Sequence, residues 1–200
     1  AEAPSGEAKD PVEIIDENGE PRLSLNPGRI EPRDPAFYSS RKPLVVNFIY
    51  NGEPLFIINN HLNSKGGDRA LFGEFQPPIL DSEIQRNEQA QIVNDFAAEL
   101  LAINPESRVV VLGDLNDFQF SNPLEILAGD ILQNLVSTLP TEEQYTYIYE
   151  GNGQVLDHIL VSDSLMDDFI SLNILHLNCE FNYLDRMSDH DPVIAIFEMD

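Results

Sequence analysis

The sequence predicts an α+β fold, a layered α/β sandwich of two packed, mostly antiparallel β-sheets flanked by helices. Most apolar segments are short, and Asn18-Gly19 and Asn51-Gly52 are strong hairpin signals between such segments. One long segment, residues 82–104, has apolar side chains at helical intervals. The run Val109–Leu112 shows no polar alternation, which is typical of a strand buried on both faces. Strands therefore outnumber helices, and this pattern favours sheets with helices outside them.

Polar residues follow directly after this central strand, in the order Gly113, Asp114, Leu115 and Asn116. Side chains just past the end of a buried strand stand on a rigid support at the rim of a sheet, where α/β proteins commonly bind ligands. Asp114 is therefore the first candidate for chemistry. The alternative is that the four residues form only a turn, because Gly, Asp and Asn all favour turns.

The other strands are expected on both sides of these elements, each bounded by turn residues. Two hairpins precede the long helix, with strands at 12–15 and 21–25 and at 44–50 and 55–60. Strands at 145–149, 155–161 and 193–197 follow the central strand. Residues 26–40 and 64–78 are expected to be loops, and a loop as long as the second is often functional in a compact domain.

Three helices are expected. The long one should begin at Ser82, which has a glutamine three residues later as in a capping box, and should end before Pro105. Asn122-Pro123 fits the start of a short second helix, and residues 164–170 form the third. Arg86, on the long helix, could reach the site, but it is expected to be solvated, because arginine is rarely buried.

The composition indicates a globular and very acidic protein. Its 200 residues, 42% of them hydrophobic, are enough for one sizeable core. The net charge of −24 favours cation binding and opposes long-range attraction of polyanions. No apolar stretch approaches the ~20 residues that span a bilayer, so no membrane association is expected, and no protein partner is inferred. The single cysteine, Cys179, cannot form an internal disulfide and is expected to be a small buried residue.

Three further strands deliver residues that are costly to bury. His61 ends the strand at 55–60, Asp157 interrupts the strand at 155–161, and Asp189 and His190 precede the last strand. A buried carboxylate such as Asp157 needs a partner, because an unpaired buried charge is strongly unfavourable. Any one of these histidines is more often structural than catalytic. Four polar clusters at strand ends nevertheless favour a common site.

These clusters belong to five short motifs that occur in a particular order. The motifs are Ser40-Arg41-Lys42-Pro43, Asn60-His61-Leu62, Gly113-Asp114-Leu115-Asn116, Leu156-Asp157-His158-Ile159 and Ser188-Asp189-His190-Asp191-Pro192. The set resembles the endonuclease/exonuclease/phosphatase superfamily with its DNase I-like fold. The loop that follows His61 is more similar to large secreted bacterial nucleases than to eukaryotic DNases.

The resemblance implies metal-assisted hydrolysis of a phosphoester. This reaction needs a base to activate water, an acid to protonate the leaving oxygen, and groups that bind the phosphoryl oxygens. The implied cofactor is Mg²⁺, with Mn²⁺ or Ca²⁺ as alternatives, and the implied partner is a nucleic acid or another phosphodiester substrate. The implied roles are His190 as base or charge stabiliser oriented by Asp157, Asp114 in orienting water or proton transfer, Asn116 in binding phosphate, His61 as phosphate ligand or general acid, Arg41 as phosphate clamp and Asp189 as metal ligand.

The resemblance also implies that the domain is incomplete at its N-terminus. The family's opening strands, which carry a metal-associated asparagine and a metal-binding glutamate, have no counterpart before Val12. Residues 1–11 are expected to be a loop or linker, and residues 12–200 to be roughly the C-terminal two-thirds of one domain. Weak or absent activity is therefore expected from this chain in isolation.

Two other functions remain open. One keeps the site but takes a phosphomonoester or a phospholipid headgroup, which the acidic composition slightly favours. The other is a non-catalytic, cation-binding module of a surface protein. An extracellular or cell-surface bacterial location is expected only from the likeness to secreted nucleases and from the acidity. His158 and His176 are interpreted as structural.

Overall fold

A computed structural model describes residues 3–70 and 73–199. Its helices are α1 (Asp81–Ile103), α2 (Asn122–Ala128) and α3 (Asp163–Met166). Its strands are β1 (Ile14–Asp16), β2 (Pro21–Leu23), β3 (Gly28–Arg29), β4 (Leu44–Tyr50), β5 (Glu53–His61), β6 (Arg108–Asp114), β7 (Gln133–Asn134), β8 (Tyr147–Tyr149), β9 (Asn152–Gln154), β10 (Asp157–Val161), β11 (Phe169–Ile174) and β12 (Val193–Phe197). Of the loop predicted over residues 1–11, residues 3–10 hold no helix or strand, and Ala1 and Glu2 lie outside the described residues.

A six-stranded sheet forms the centre of the molecule, with the strand order β3-β4-β5-β6-β10-β7. β5 and β6 are parallel, and the other neighbours in this sheet are antiparallel. The parallel pair is joined by α1, because parallel strands need a long crossover connection. The predicted hairpins form as β1–β2 and β4–β5.

The central strand β6 is buried on both faces, as its sequence predicts. Val109 and Val111 contribute to an apolar core that α1 and α2 cover, whereas Val110 faces a second core on the other side of the sheet. Both cores therefore include side chains of β6. Its end, where Asp114 lies, is fixed by the packing on either side.

A two-stranded antiparallel sheet, β11–β12, covers the second core. The layers are therefore helices, the six-stranded sheet and this smaller sheet, so the predicted α+β fold with packed, mostly antiparallel sheets is confirmed. Among the described residues, no helix has the length and apolar character that crossing a bilayer requires.

Three local predictions were wrong. Residues 164–170 were expected to form one helix, but α3 ends at Met166 and β11 begins at Phe169, because β12 provides a strand partner from far along the chain. The expected capping box also fails. Leu80 occupies the N-cap position of α1, and the Ser82 hydroxyl donates to Asp68 instead. Tyr145 lies before β8 rather than within it.

Arg86 is a fourth correction, because its side chain is fully buried rather than solvated. Its Nε donates to Asp117 Oδ2 at 2.8 Å and its Nη1 to Ser82 Oγ at 2.6 Å, while Nη2 lies 3.7 Å from Asp68 Oδ2. Lys65 Nζ donates to the other Asp117 oxygen at 2.6 Å. The network joins α1 to the loop after β5 and to the turn after β6.

The turn after β6 is held from a second direction by His158 of β10. Its Nε2 lies 2.9 Å from the backbone carbonyl of Asp117, and its Nδ1 lies 3.1 Å from Asn134 Nδ2. A carbonyl only accepts, so Nε2 carries the proton and Nδ1 accepts from the amide. Burial lowers the pKa of His158 to about 4, which keeps the ring neutral and fits its predicted structural role.

Gly113 allows β5 and β6 to approach each other closely at the end of the sheet. Its φ is +130°, and a Cβ atom placed there would overlap the backbone carbonyl of Asn60 on β5. Only glycine satisfies both the backbone conformation and the contact. This residue therefore sets the distance between the strand ends that carry His61 and Asp114.

Replacing Gly113 with alanine should destabilise the protein by at least about 1–3 kcal/mol, the cost typical of one strained backbone residue. Urea unfolding followed by circular dichroism measures the change. The matched control is Gly66→Ala, since a Cβ there makes only an ordinary contact with Ser64. Equal stability of the two variants would contradict the proposed close approach.

Replacing Arg86 with methionine should cost about 3–5 kcal/mol, because Asp68 loses its ion pair with Arg86 and Asp117 keeps only Lys65. Arg86→Lys should be intermediate, since lysine keeps the charge but not the planar fork. The control is Arg22→Met, whose ion pair with Glu17 is half exposed and should contribute about 0–1 kcal/mol. A solvated Arg86 would instead give the same small change as Arg22.

Candidate active site

Three of the predicted site residues lie side by side on neighbouring strands. In the register of the central sheet, His61 of β5 is opposite Asp114 of β6, and Asp114 is opposite Asp157 of β10. His61 Nε2 lies 3.5 Å from Asp114 Oδ2. The three side chains are partly exposed, at 35%, 16% and 22%, so this row is open to solvent. Sheet register alone therefore brings these residues together.

His190 joins the row from the turn that precedes β12. Its Nδ1 lies 2.7 Å from Asp157 Oδ2, which accepts the ring proton. The Thr146 hydroxyl donates to the same oxygen at 2.7 Å and also accepts from the backbone N–H of Leu156 at 3.1 Å. Asp157 is thereby held in one orientation. Its hydrogen bond, with added attraction from Asp157, Asp114 and Asp189, raises the pKa of His190 above the ordinary 6.5 against the opposing effect of burial.

Asp114 and Asp157 form a pair of like charges in a partly buried place. Burial raises the pKa of Asp114 above its ordinary value, and the neighbouring Asp157 raises it further, whereas His190, His61 and the Asn116 amide oppose the shift. Two carboxylates so placed are stabilised by a cation between or beside them. Electrostatics at this point therefore favours a bound positive charge.

Asn116 is held next to Asp114 by the turn that follows β6. Its φ is +53°, a left-handed conformation that asparagine tolerates better than most residues. Its backbone N–H donates to Asp114 Oδ1 at 3.0 Å, and its side-chain amide donates to the Leu62 carbonyl at 3.0 Å. The side chain is buried and fixed, so a group placed against it meets a preformed donor.

A cavity of about 350 Å³ opens beside the row, and Asn116, Asp189 and His190 all line it. The exposed Asp189 lies at this cavity. A second cavity, of about 370 Å³, is lined by His61 together with Arg41 and two further cations, Arg29 and Lys42. The structure thus brings all seven predicted site residues to the row or to a cavity that adjoins it.

The donor atoms of this row fit a divalent cation. One atom each of Asp114, Asp157 and His190 lie within 4.8 Å of one another. Carboxylate oxygens suit the hard cations Mg²⁺, Mn²⁺ and Ca²⁺, and Mg²⁺ commonly keeps several waters beside one or two carboxylates. Asp189, the metal ligand predicted from the sequence, is not one of these three residues, but it lines the same cavity as His190.

The sequence did not identify several residues of the site. Thr146 fixes Asp157, and the Tyr147 ring lies 4.8 Å from the His190 ring. Lys65 and Arg69 line the cavity that contains His190. Tyr145, Tyr147 and Tyr149 alternate in the sequence, which predicts that they share one face of a strand. The alternation does not indicate that this segment lies next to Asp157 and His190. Lys65 and Arg69 belong to a loop without regular pattern.

Solved structures share this fold at low sequence identity. Truncated TDP2 of Caenorhabditis elegans is 15% identical with a TM-score of 0.58, over 92% of this chain and 63% of that chain. The 3′ phosphatase NExo from Neisseria, bound to a product DNA hairpin, is 20% identical with a TM-score of 0.55, over 87% and 70%. Sphingomyelinase C from Streptomyces griseocarneus is 16% identical with a TM-score of 0.54, over 77% and 56%. This chain therefore spans under two thirds of the TDP2 and sphingomyelinase structures.

No curated protein matches the chain in sequence. A sequence profile of the Endonuclease/Exonuclease/phosphatase family, in contrast, matches residues 23–182, which include Arg41, His61, Asp114, Asn116 and Asp157. The profile covers most of the chain, and the shared fold agrees with it. On this ground the chain belongs to the endonuclease/exonuclease/phosphatase family.

Proposed function

We propose that this chain hydrolyses phosphoesters with a divalent cation and that its substrate is a nucleic acid or another phosphodiester. The observation that carries the proposal is the His190–Asp157 pair, held at 2.7 Å beside Asp114 at an open sheet edge. A histidine fixed by a carboxylate next to a cation-favouring pair of acids has the parts that hydrolysis of a phosphoester requires.

His190 acts as the base. Because its Nδ1 proton is donated to Asp157, its Nε2 is the nitrogen that can accept a proton from water. Among the described residues, Nε2 has no protein hydrogen-bond partner, and His190 faces the cavity where a substrate would bind. Asp157 then stabilises the charged ring, as a carboxylate does when it orients a catalytic histidine.

The neighbouring residues bind and orient the phosphoryl group. Asn116 offers an amide from a fixed position, and Arg41 offers a guanidinium at the cavity next to His61. His61, paired with Asp114, is placed to protonate a leaving oxygen or to contact the phosphate. A bound Mg²⁺, or Mn²⁺ or Ca²⁺ instead, would neutralise charge on the phosphoryl oxygens. Asp114, Asp157 and Asp189 are the carboxylates that would hold it.

Local positive charge supports a phosphodiester substrate on a protein whose net charge is −24. This charge comes from Arg29, Arg41 and Lys42, which line the His61 cavity. In the His190 cavity, Lys65 and Arg69 lie beside Asp68 and Asp189, and Lys65 is paired with Asp117. Tyr147 and Tyr149 line the first cavity, and exposed aromatic rings can stack on bases. The DNA product bound to the Neisseria phosphatase supports the same preference.

A phosphomonoester or a phospholipid headgroup is the second candidate, since the fold is shared with a 3′ phosphatase and with sphingomyelinase C. If this second candidate is right, the chain should hydrolyse phosphomonoesters or phospholipid headgroups faster than DNA. A non-catalytic cation-binding module would not require a histidine oriented by a carboxylate.

The extracellular bacterial location stays a prediction from the sequence.

Hydrolysis should depend on the aligned residues. The assay uses the chain in excess over supercoiled plasmid or bis(p-nitrophenyl) phosphate, with Mg²⁺ or Mn²⁺. Slow hydrolysis is expected, and it should stop when EDTA removes the metal. His190→Asn and Asp114→Asn should each lower the rate by about 10²-fold or more, the effect typical of losing a general acid or base.

The matched control for Asp114→Asn is Asp130→Asn, an exposed carboxylate beyond α2. It should leave the rate unchanged. Hydrolysis that survives in both site variants, or that continues in EDTA, would contradict the proposal. No hydrolysis with any of the three cations, both by this chain and by a longer protein that contains it, would favour the non-catalytic module.

The pH dependence should report the His190–Asp157 hydrogen bond. The base must be unprotonated, so the rate should rise with pH, and the raised pKa of His190 puts the midpoint above 6.5. Asp157→Asn should move the pKa of His190 down towards 6.5. An NMR titration of the His190 ring proton measures this without activity, and a midpoint at or below 6.5 in the native chain would argue against the pairing.

A further inference from the structure

A second group of side chains that could hold a metal ion is formed by His176, Cys179 and Asp191. Asp191 follows His190 directly, but its carboxylate contacts the segment after β11. Oδ2 lies 3.0 Å from His176 Nδ1 and 2.7 Å from Cys179 Sγ. The proposed hydrolysis uses none of these three side chains.

The other oxygen of Asp191 is fixed by the backbone. Oδ1 accepts from the N–H groups of Leu177, Asn178 and Cys179, at 3.1, 2.7 and 3.0 Å. These bonds leave Oδ2 facing the imidazole and the thiol. A carboxylate held in this way by its surroundings is a preorganised ligand, because its orientation does not have to be ordered by the ion.

The spacing of the three donors suits one ion. Their ligand atoms all lie within 4.8 Å of one another. A tetrahedral Zn²⁺ has bonds of about 2.0–2.3 Å and so needs its ligands about 3.3–3.5 Å apart. The two short contacts to Oδ2 would each have to open by less than about 1 Å, which side-chain rotation of His176 and Cys179 can supply.

Solvent reaches this cluster at His176. Cys179 and Asp191 are buried, at 6% and 3% exposure, whereas the His176 side chain is 25% exposed. The Tyr145 ring stacks on the imidazole at 4.0 Å with an interplanar angle of 7°, which orients it towards Asp191. An ion would therefore reach the three donors from the side of His176, where solvent could supply a further ligand.

We propose that His176, Cys179 and Asp191 form a second metal site, separate from the hydrolytic centre, which takes Zn²⁺ or a similarly borderline-soft divalent ion. The thiolate and imidazole decide the chemistry, because they favour Zn²⁺ and Co²⁺ over Mg²⁺ and Ca²⁺, which bind oxygen.

Binding exchanges protons for the ion. Burial and the hydrogen bond to Asp191 raise the pKa of Cys179 to about 12, so the free protein holds a thiol. On binding, the thiol proton leaves to solvent, and His176 binds through Nδ1 in the tautomer that carries its proton on Nε2. The charges of the thiolate and the carboxylate then balance those of the divalent ion.

The ion would link the two ends of the segment that carries the catalytic turn. His176 and Cys179 precede this segment, and Asp191 ends it. Asn178, between the first two ligands, donates to the His190 carbonyl at 2.8 Å and accepts from the Met187 N–H at 3.3 Å. The proposed ion therefore stabilises the loop from which Asp189 and His190 reach the active site.

Co²⁺ titration of the whole chain tests the proposal, because a cobalt–thiolate bond gives a charge-transfer band in the near ultraviolet. Cys179 is the single cysteine of the sequence, so the band can come from no other residue of the chain. One equivalent of Co²⁺ should saturate it, and Zn²⁺ should abolish it by displacement. Zn²⁺ should also raise the melting temperature.

Variants separate a built site from an isolated thiol. Cys179→Ser keeps a donor for Asp191 and should abolish both the band and the Zn²⁺ effect on melting. His176→Gln should weaken Co²⁺ binding by more than the roughly 10- to 100-fold that an outer-shell partner contributes. Asp189→Asn, the control at the hydrolytic centre, should leave the band unchanged.

Two results would overturn the proposal. One is the absence of a thiolate band at stoichiometric Co²⁺ in the folded native chain, which would make the cluster a hydrogen-bonded clamp only. The other is a band that is equally strong in His176→Gln, which would show a thiol acting alone. Both are read from the spectrum and do not depend on hydrolysis.

Discussion

The register between β5, β6 and β10 is the constraint on which the candidate site depends. It places His61, Asp114 and Asp157 in one row by backbone hydrogen bonds, without any contribution from flexible loops. A shift of one residue in either pairing would turn the side chains to opposite faces of the sheet. Gly113 protects the spacing of the parallel pair, and the two apolar cores fix β6 from both sides.

Charge is arranged in two different ways around this row. The buried carboxylates of Asp117 and Asp68 are compensated by Arg86 and Lys65, so that part of the molecule is neutralised internally. The carboxylates of Asp114 and Asp157 form ion pairs only with histidines among the described residues. The ion pairs of Asp117 and Asp68 stabilise the fold. The negative charge of Asp114 and Asp157 is not fully compensated and would be stabilised by a bound cation. A protein this acidic can bind phosphate only where a bound cation or basic side chains make the local charge positive.

The sequence predicted the elements whose signals are local. The hairpins, the long helix and the strand before Asp114 follow from turn residues and apolar periodicity, and the motifs around His61, Asp157 and His190 indicated residues that the structure brings together. Contacts between distant segments were not predictable in this way. The burial of Arg86 depends on Asp117, which belongs to another turn, and β11 depends on β12. The capping box at Ser82 failed because its hydroxyl is used by Asp68.

The row of catalytic candidates also has a consequence for how the chain folds. The β4–β5 hairpin can form early, because its strands are neighbours in sequence. The parallel β5–β6 pair must wait until α1 has crossed over, and the pairing with β10 brings in still more remote residues. Partly folded intermediates therefore lack an aligned His61, Asp114 and Asp157. Any hydrolytic competence would arise only at the final stage of assembly, so nascent or unfolded chains would be inert.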